Sequence, residues 1–418
     1  MARILVYTSP ARGHLFPLVP TLLELARRGH DVRVRTLASE VPRLRAMGFA
    51  AGPIDAAVEA RTLDDWKASS PPAALVRAAR TFVDRARVEV EDLRAAITAE
   101  DAELLYVDVN CWGAAAVAET SGLPWAVFAP YFLPVRAPGV PPWGLGLAPL
   151  RGPLGRLRDA LLWPVVDLLF DRVLPDLNRV RTGAGAARYG HVRDFVSAPR
   201  IFAYTAEPFE YARAWPENVK LVGPGTWEPP SAGEATQVAE DTRPLVLVTC
   251  STEFQNDGKL IEVALAALAD APFRVVATTA AIDPALFRAP ANAQVARFLP
   301  HGPLLARAAC VVCHGGLGIT QKALAAGVPV CVVPFGRDQV EVARHVEIAG
   351  AGVRLPAASL GARRLRDAVE SAGGKREGAA RVADGFRRAG GAAAAADEIE
   401  RLVPRVPRER ARASAPAT

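Results

Sequence analysis

Sulfur and lysine are scarce in this chain. Of its 418 residues two are Met and five are Cys, and the 50 basic side chains include five Lys, leaving 45 Arg by difference. The cysteines are odd in number, and four of them (Cys250, Cys310, Cys313 and Cys331) lie in or beside apolar, strand-like runs. That argues against a disulfide framework and for a reduced, cytoplasmic setting. Cys310 and Cys313 form a CxxC inside a strand, but no second pair exists to complete a four-ligand zinc site, so no metal is expected. There is no apolar run of the ~18 residues a membrane span needs. Ala160 to Leu174 comes nearest, interrupted by Pro164, Asp167, Asp171 and Arg172. It reads as an amphipathic helix packed on the protein body, which leaves peripheral membrane contact open but predicts no integral segment. Ile4 to Val6 is too short for a signal peptide. The first strand–helix turn lacks GxGxxG, which disfavours a nicotinamide or flavin enzyme. Net charge is +6 and the pI about 9.3. Much of the excess sits in the tail, at Arg405, Arg408, Arg410 and Arg412, and no basic patch is interleaved with aromatics. An anionic small ligand fits at least as well as nucleic acid, and no nucleic-acid partner is expected.

What is present is an α/β chain in two halves. Arg3–Thr8 reads as a strand, Ser9–Phe16 as a loop, Pro17–Arg28 as a helix and Asp31–Thr36 as a second strand, a βαβ unit and hence a parallel sheet. Residues 1–224 form a first domain. Residues 225–243 have linker composition, and a second α/β domain, 244–390, begins with the buried strand Leu245–Thr249. A last helix, 391–403, is expected to pack back on the first domain, and 404–418 to form a disordered tail. Ligands of such folds bind in the cleft at the carboxyl ends of the strands.

Several residues at strand ends can carry chemistry. Gly13 and His14 occupy the first turn. A neutral imidazole there can take a proton from a hydroxyl, and Asp108, ending the strand Leu104–Val107, can orient it. Equally, His14 can bond backbone and Asp108 can cap the next helix. Ser251 and Thr252 end a strand and can bind phosphate oxygens or cap a turn. His314-Gly315-Gly316-Leu317 joins a strand to a helix, and the N–H groups of Gly316 and Leu317 at a helix N-terminus suit a phosphate. Asp338 and Gln339 lie beyond a strand and can hold vicinal sugar hydroxyls or cap the next helix.

Gly13-His14-Leu15-Phe16-Pro17 resembles the N-terminal signature of family 1 glycosyltransferases, especially the bacterial macrolide and antibiotic branch. So does the series from Phe298-Leu299-Pro300-His301 through His314-Gly315-Gly316-Leu317-Gly318, Ala323-Leu324 and Gly327-Val328-Pro329 to Asp338-Gln339. The likeness covers nearly the whole chain. It implies a GT-B fold, two Rossmann-like domains facing each other across a cleft. It also implies inverting, metal-independent transfer of a sugar from a nucleoside diphosphate to a hydroxyl of a hydrophobic natural product, with no cofactor. No DxD motif is evident. In this light His14 is the base and Asp108 its partner. The donor would meet Gly13, Ser251, Thr252, Phe298 (against the base), Leu299, His301 (near the ribose), His314, Gly315, Gly316, Leu317, Gly318, Asp338 and Gln339. The acceptor would meet the aromatics Trp66, Tyr131, Phe132 and Trp143, which could as easily be core. Lys322 departs from the pattern: members commonly carry glutamate there for the ribose hydroxyls, and lysine cannot accept those bonds. A thymidine diphosphate donor, lacking the 2′-hydroxyl, is therefore expected ahead of a uridine one. The rivals are a sugar-nucleotide epimerase of the same fold and a catalytically silent binding partner.

Overall fold

The structure, a computed structural model, describes residues 1–68, 70–229, 242–253 and 255–403. Most of the expected linker and the whole expected tail lie outside them. The first half contains strands β1 (Arg3–Tyr7), β2 (Asp31–Thr36), β3 (Ala50–Pro53), β4 (Leu104–Asp108), β5 (Trp125–Ala129), β6 (Ile201–Ala203) and β7 (Val219–Leu221). Its helices are α1 (Arg12–Arg27), α2 (Val41–Ala46), α3 (Ala56–Glu59), α4 (Pro71–Glu100), α5 (Trp112–Thr120), α6 (Pro153–Phe170) and α7 (Leu174–Gly183). The second half contains β8 (Leu245–Thr249), β9 (Arg274–Thr278), β10 (Ala293–Ala296), β11 (Ala308–Cys313), β12 (Val330–Val332) and β13 (Gly352–Arg354). Its helices are α8 (Lys259–Leu268), α9 (His301–Leu305), α10 (Leu317–Ala325), α11 (Gln339–Ile348), α12 (Ala362–Gly373), α13 (Arg376–Ala389) and α14 (Gly391–Glu400).

The strand orders are β3-β2-β1-β4-β5-β6-β7 and β10-β9-β8-β11-β12-β13, and every pairing is parallel. Alternate residues of one strand feed two cores: Ile4 and Val6 face one side, Leu5 and Tyr7 the other. Leu245 and Leu247 separate from Val246 and Val248 in the same way. Both sheets are thus covered on both faces, which is why their strands are nearly continuous apolar runs. In each sheet the winding reverses between two adjacent strands, β1/β4 and β8/β11, and a crevice opens above each reversal.

The halves are joined by packing on α11 that the sequence did not announce, and by α14, the last helix expected to pack back on the first domain. His345 of α11 is sandwiched between Phe132 and Tyr211 of the first half, at centroid distances of 3.8 and 3.7 Å, and its Nδ1 donates to the Phe209 carbonyl at 2.8 Å. Glu341 accepts the N–H groups of Gly144 and Gly146, both at 2.8 Å, and docks the irregular 130–152 segment on α11. Helix α14 lies against α1: Ala395, Ala396 and Ile399 enter the first domain's core, and Arg28 pairs with Asp397 and Glu400 at 2.6 and 2.8 Å.

One local expectation fails. Helix α1 starts at Arg12, so Gly13 and His14 lie in its first turn and not in a loop. Prolines at 17 and 20 misplaced its start, yet both are accommodated inside it.

Candidate active site

The two reversals determine which loops meet. The β1–α1 and β4–α5 turns bring His14 beside Asp108, and the β8 and β11 turns bring Ser251 and Thr252 beside His314. Except for the fully buried Asp108, these residues line one cleft of about 400 Å³ between the domains.

Asp108 collects four donors. The Ser9 N–H and Oγ–H reach Oδ2 at 3.1 and 3.0 Å, the Asn110 N–H reaches Oδ1 at 2.8 Å, and His14 Nδ1 stands 2.9 Å from both oxygens. This fixes the tautomer: with Nδ1–H donating to the carboxylate, Nε2 keeps its lone pair. Asn110 Nδ2 lies 3.3 Å from that Nε2, and its Oδ1 accepts from the Tyr131 hydroxyl at 3.1 Å. Burial pushes the His14 pKa down, but the charge and hydrogen bond of Asp108 outweigh it, and the pKa ends above its ordinary value.

On the other wall, the imidazole of His314 is buried over the glycine turn. A Cβ on Gly316 would fall 2.4 Å from His314 Nε2, and Gly315 has φ +97°. Both positions therefore require glycine. Burial lowers the His314 pKa, which favours the neutral ring, and no described residue is hydrogen-bonded to its Nδ1, with Asp257 Oδ2 3.9 Å away. Ser251 Oγ accepts from Gln255 Nε2 at 2.7 Å, and its N–H bonds Asp257 at 2.8 Å. Thr252 is exposed to the cleft. His301 heads α9, with Nε2 3.2 Å from Thr278 Oγ1, and burial takes its pKa down to about 4.

Gly13, Gly318, Leu317, Asp338, Tyr131 and Trp143 also line the cleft. Burial raises the Asp338 pKa. Six of the expected site residues are placed otherwise. Phe132 is buried in the domain interface with both neighbours stacked on it or beside it, so it offers no face to an acceptor. Trp66 is an exposed ring under Lys67, outside the cleft lining. Phe298 is 63% exposed and also outside the lining, and Leu299 packs on the second domain's core. Gln339 lines the cleft, but its Oε1 holds the N–H groups of Phe335 and Gly336 and its Nε2 bonds Gln255. It serves first as a strut for the 335–338 loop. Gly315 shapes the turn from beneath and does not line the cleft.

Lys322 neither points to solvent nor waits unpaired. Its Nζ lies 3.1 Å from Glu228 Oε1, and Glu228 Oε2 caps the N–H groups of His301 and Gly302 at 3.0 Å each. Glu228 was missed because it stands in a stretch of linker composition. Arg337 was missed too. It adopts φ +54° and reaches Asp65 of the first domain at 3.1 Å and Glu253 at 2.9 Å, forming an ion pair across the cleft. Asn110 could have been found by its position, two residues past a strand-ending aspartate.

Two doubly wound domains facing one cleft define the GT-B architecture of glycosyltransferases. Residues 262–399 match the family described as erythromycin biosynthesis protein CIII-like, C-terminal domain. The chain is 33% identical over 430 residues to 4′-demethylrebeccamycin synthase of Lentzea aerocolonigenes, covering 96% of this chain and all of that one. Among solved structures, the kitacinnamycin glycosyltransferase superposes with a TM-score of 0.77 at 22% identity, covering 96% of this chain and 99% of that one. The glycosyltransferase VinC in complex with dTDP superposes with a TM-score of 0.71 at 20% identity, covering 96% and 99%. The chain belongs to the natural-product GT-B glycosyltransferase family and is an enzyme of antibiotic-biosynthesis type. Nothing in these relatives favours an epimerase.

Proposed function

We propose that the protein transfers a sugar, with inversion and without a metal, from a nucleoside diphosphate to a hydroxyl of an apolar small molecule. The observation that carries this is the His14–Asp108 contact of 2.9 Å at the cleft wall, facing the His314 glycine turn. His14 Nε2 takes the acceptor's hydroxyl proton, displacing Asn110 as its neighbour. The acceptor oxygen forms a bond to the anomeric carbon as the bond from that carbon to the diphosphate oxygen breaks on the opposite face. The diphosphate leaves with the electron pair. Its growing charge is met by neutral His314 and the N–H groups of Gly316 and Leu317, donors already aimed where charge develops. Asp108 stabilises the imidazolium, and Asp338 accepts from sugar hydroxyls. Tyr131 and Trp143 flank the acceptor.

The donor we favour is a thymidine diphosphate sugar. Lys322 lines the cleft beside His301 and is held there by Glu228, so a donor stands where a second ribose hydroxyl would need an acceptor, and the VinC complex contains dTDP. The test is a screen of dTDP- and UDP-sugars against a hydrophobic alcohol, with and without EDTA, comparing the native protein with His14→Ala. Transfer that survives EDTA, is lost in the variant and gives the inverted anomer by NMR is expected. Equal transfer by both proteins removes His14 as base. Binding of UDP but not dTDP in calorimetry removes the donor assignment.

A further inference from the structure

Helix α6 has two apolar faces, which a helix packed on one side of a domain does not need. Its inner face supplies Trp163, Val166 and Phe170 to the cleft. Its outer face carries Leu154, Leu157, Leu161, Val165 and Leu168, each between 57% and 76% exposed. Their spacings of three, four, four and three residues place them on one stripe. At 1.5 Å per residue the stripe is about 21 Å long. Among the described residues nothing covers it.

Charge says what covers it. Both acids of α6 point inward: Asp159 is paired with Arg158 at 2.7 Å, and Asp167 with Arg136 and Arg193 at 2.7 and 2.8 Å. The exposed positions of the helix are therefore leucine, valine, alanine, proline and Arg156. Arg151 and Arg172 flank its two ends, also exposed, and none of these three guanidinium groups has an ion pair among the described residues. An apolar stripe whose helix exposes no acid and has arginines at both ends is complementary to a surface that is apolar below and anionic at its edge. A second copy fits poorly. A two-fold interface repeats the same patch, so Arg172 of one chain would face Arg151 and Arg156 of the other with no acid between.

We propose that α6 is an interfacial anchor that lies on an anionic lipid bilayer and holds the cleft mouth at the membrane surface. No described helix is long and apolar enough to cross the bilayer, so the contact is peripheral. The proposal does not depend on the transfer reaction above.

The test is co-sedimentation of the full chain with vesicles of phosphatidylglycerol and phosphatidylcholine, or of phosphatidylcholine alone, with sedimentation velocity on the protein by itself. The native protein is expected to bind the anionic vesicles and to release them at high salt. Leu161→Glu with Val165→Glu is expected to bind at least tenfold more weakly, and Arg156→Glu with Arg172→Glu to lose the preference for phosphatidylglycerol. Thermal midpoints should be unchanged, since all four side chains are exposed. Three results would overturn the proposal: no binding to anionic vesicles, binding that survives the Leu161/Val165 change and so comes from another basic segment such as the C-terminal arginines, or a dimer that this change dissolves.

Discussion

Replacing Asp108 by Asn tests the proposed base at its support and leaves its shape alone. The carboxylate accepts four hydrogen bonds, of which the one from His14 Nδ1 becomes charge-assisted when Nε2 takes a proton. Hydrogen bonds to charged groups contribute about 1.5–3 kcal/mol. At 1.36 kcal/mol per decade of rate, losing this one lowers kcat roughly 10- to 150-fold. An amide nitrogen facing donor groups adds to the loss by turning the ring. The pH profile supplies a second signature. In the native protein the pKa of His14 is raised because Asp108 outweighs burial. His14 acts as a base only when neutral, so activity rises with pH through a midpoint above 6.5, the ordinary histidine value. In Asp108→Asn the burial remains and the charge is gone, so the midpoint moves to lower pH. The assay is kcat/KM from pH 5 to 9 with the best donor found. It is paired with an NMR titration of the His14 ring, identified by its disappearance in His14→Gln, which needs no substrate. A midpoint that stays or rises, or a rate within threefold of native, would refute the role given to Asp108.

Three further outcomes are expected. Glu228→Gln removes the charge that holds Lys322 and should weaken dTDP binding roughly 10- to 150-fold, with kcat nearly unchanged. Calorimetry checks it, and unchanged affinity would free the ribose position from this pair. His345 is buried with its pKa lowered to about 3. A histidine depressed in the folded state contributes stability that is present above its unfolded pKa and lost as pH falls, here between about 6.5 and 3, on the order of 3–5 kcal/mol. His345→Phe keeps the stacking and should flatten that part of the stability curve in urea titrations at pH 4, 5.5 and 7. Gly113→Ala would set a Cβ 1.9 Å from the Ala86 carbonyl oxygen, where α4 and α5 touch. A loss of about 3 kcal/mol or more, read as a fall in thermal midpoint or in soluble yield, is expected.

Elements that carry their own signal were legible and those held by neighbours were not. The strands β1, β4, β8 and β11 are apolar runs at the centres of their sheets, and they alone decide where the two crevices open. Strand β3, with sequence AAGP, has no strand character. It forms because β2 presents an edge to it, in register from Arg33↔Ala50 to Thr36↔Pro53. The same holds at the site. Asp108 ends β4, His314 follows β11, and His14 and Asp338 lie at the start of the helix that follows a strand, so position in the chain leads to them.

Residues whose importance comes from the meeting of the two domains have no local mark. Phe132 and Tyr131 are adjacent aromatics in one irregular segment. One is locked against His345 in the interface and the other lines the cleft beside His14, and only the docking of that segment on α11 separates them. Glu228 and Arg337 are charged residues in a linker-like stretch and a turn. Arg337 lines the cleft and Glu228 holds Lys322, which does, because the other domain, or the chain joining the two, brings a partner of opposite charge to within about 3 Å. Sequence position identifies what a strand end offers. Which of those groups are spent on holding the domains together, and which remain for a ligand, is decided by contacts between residues 94 to 272 positions apart.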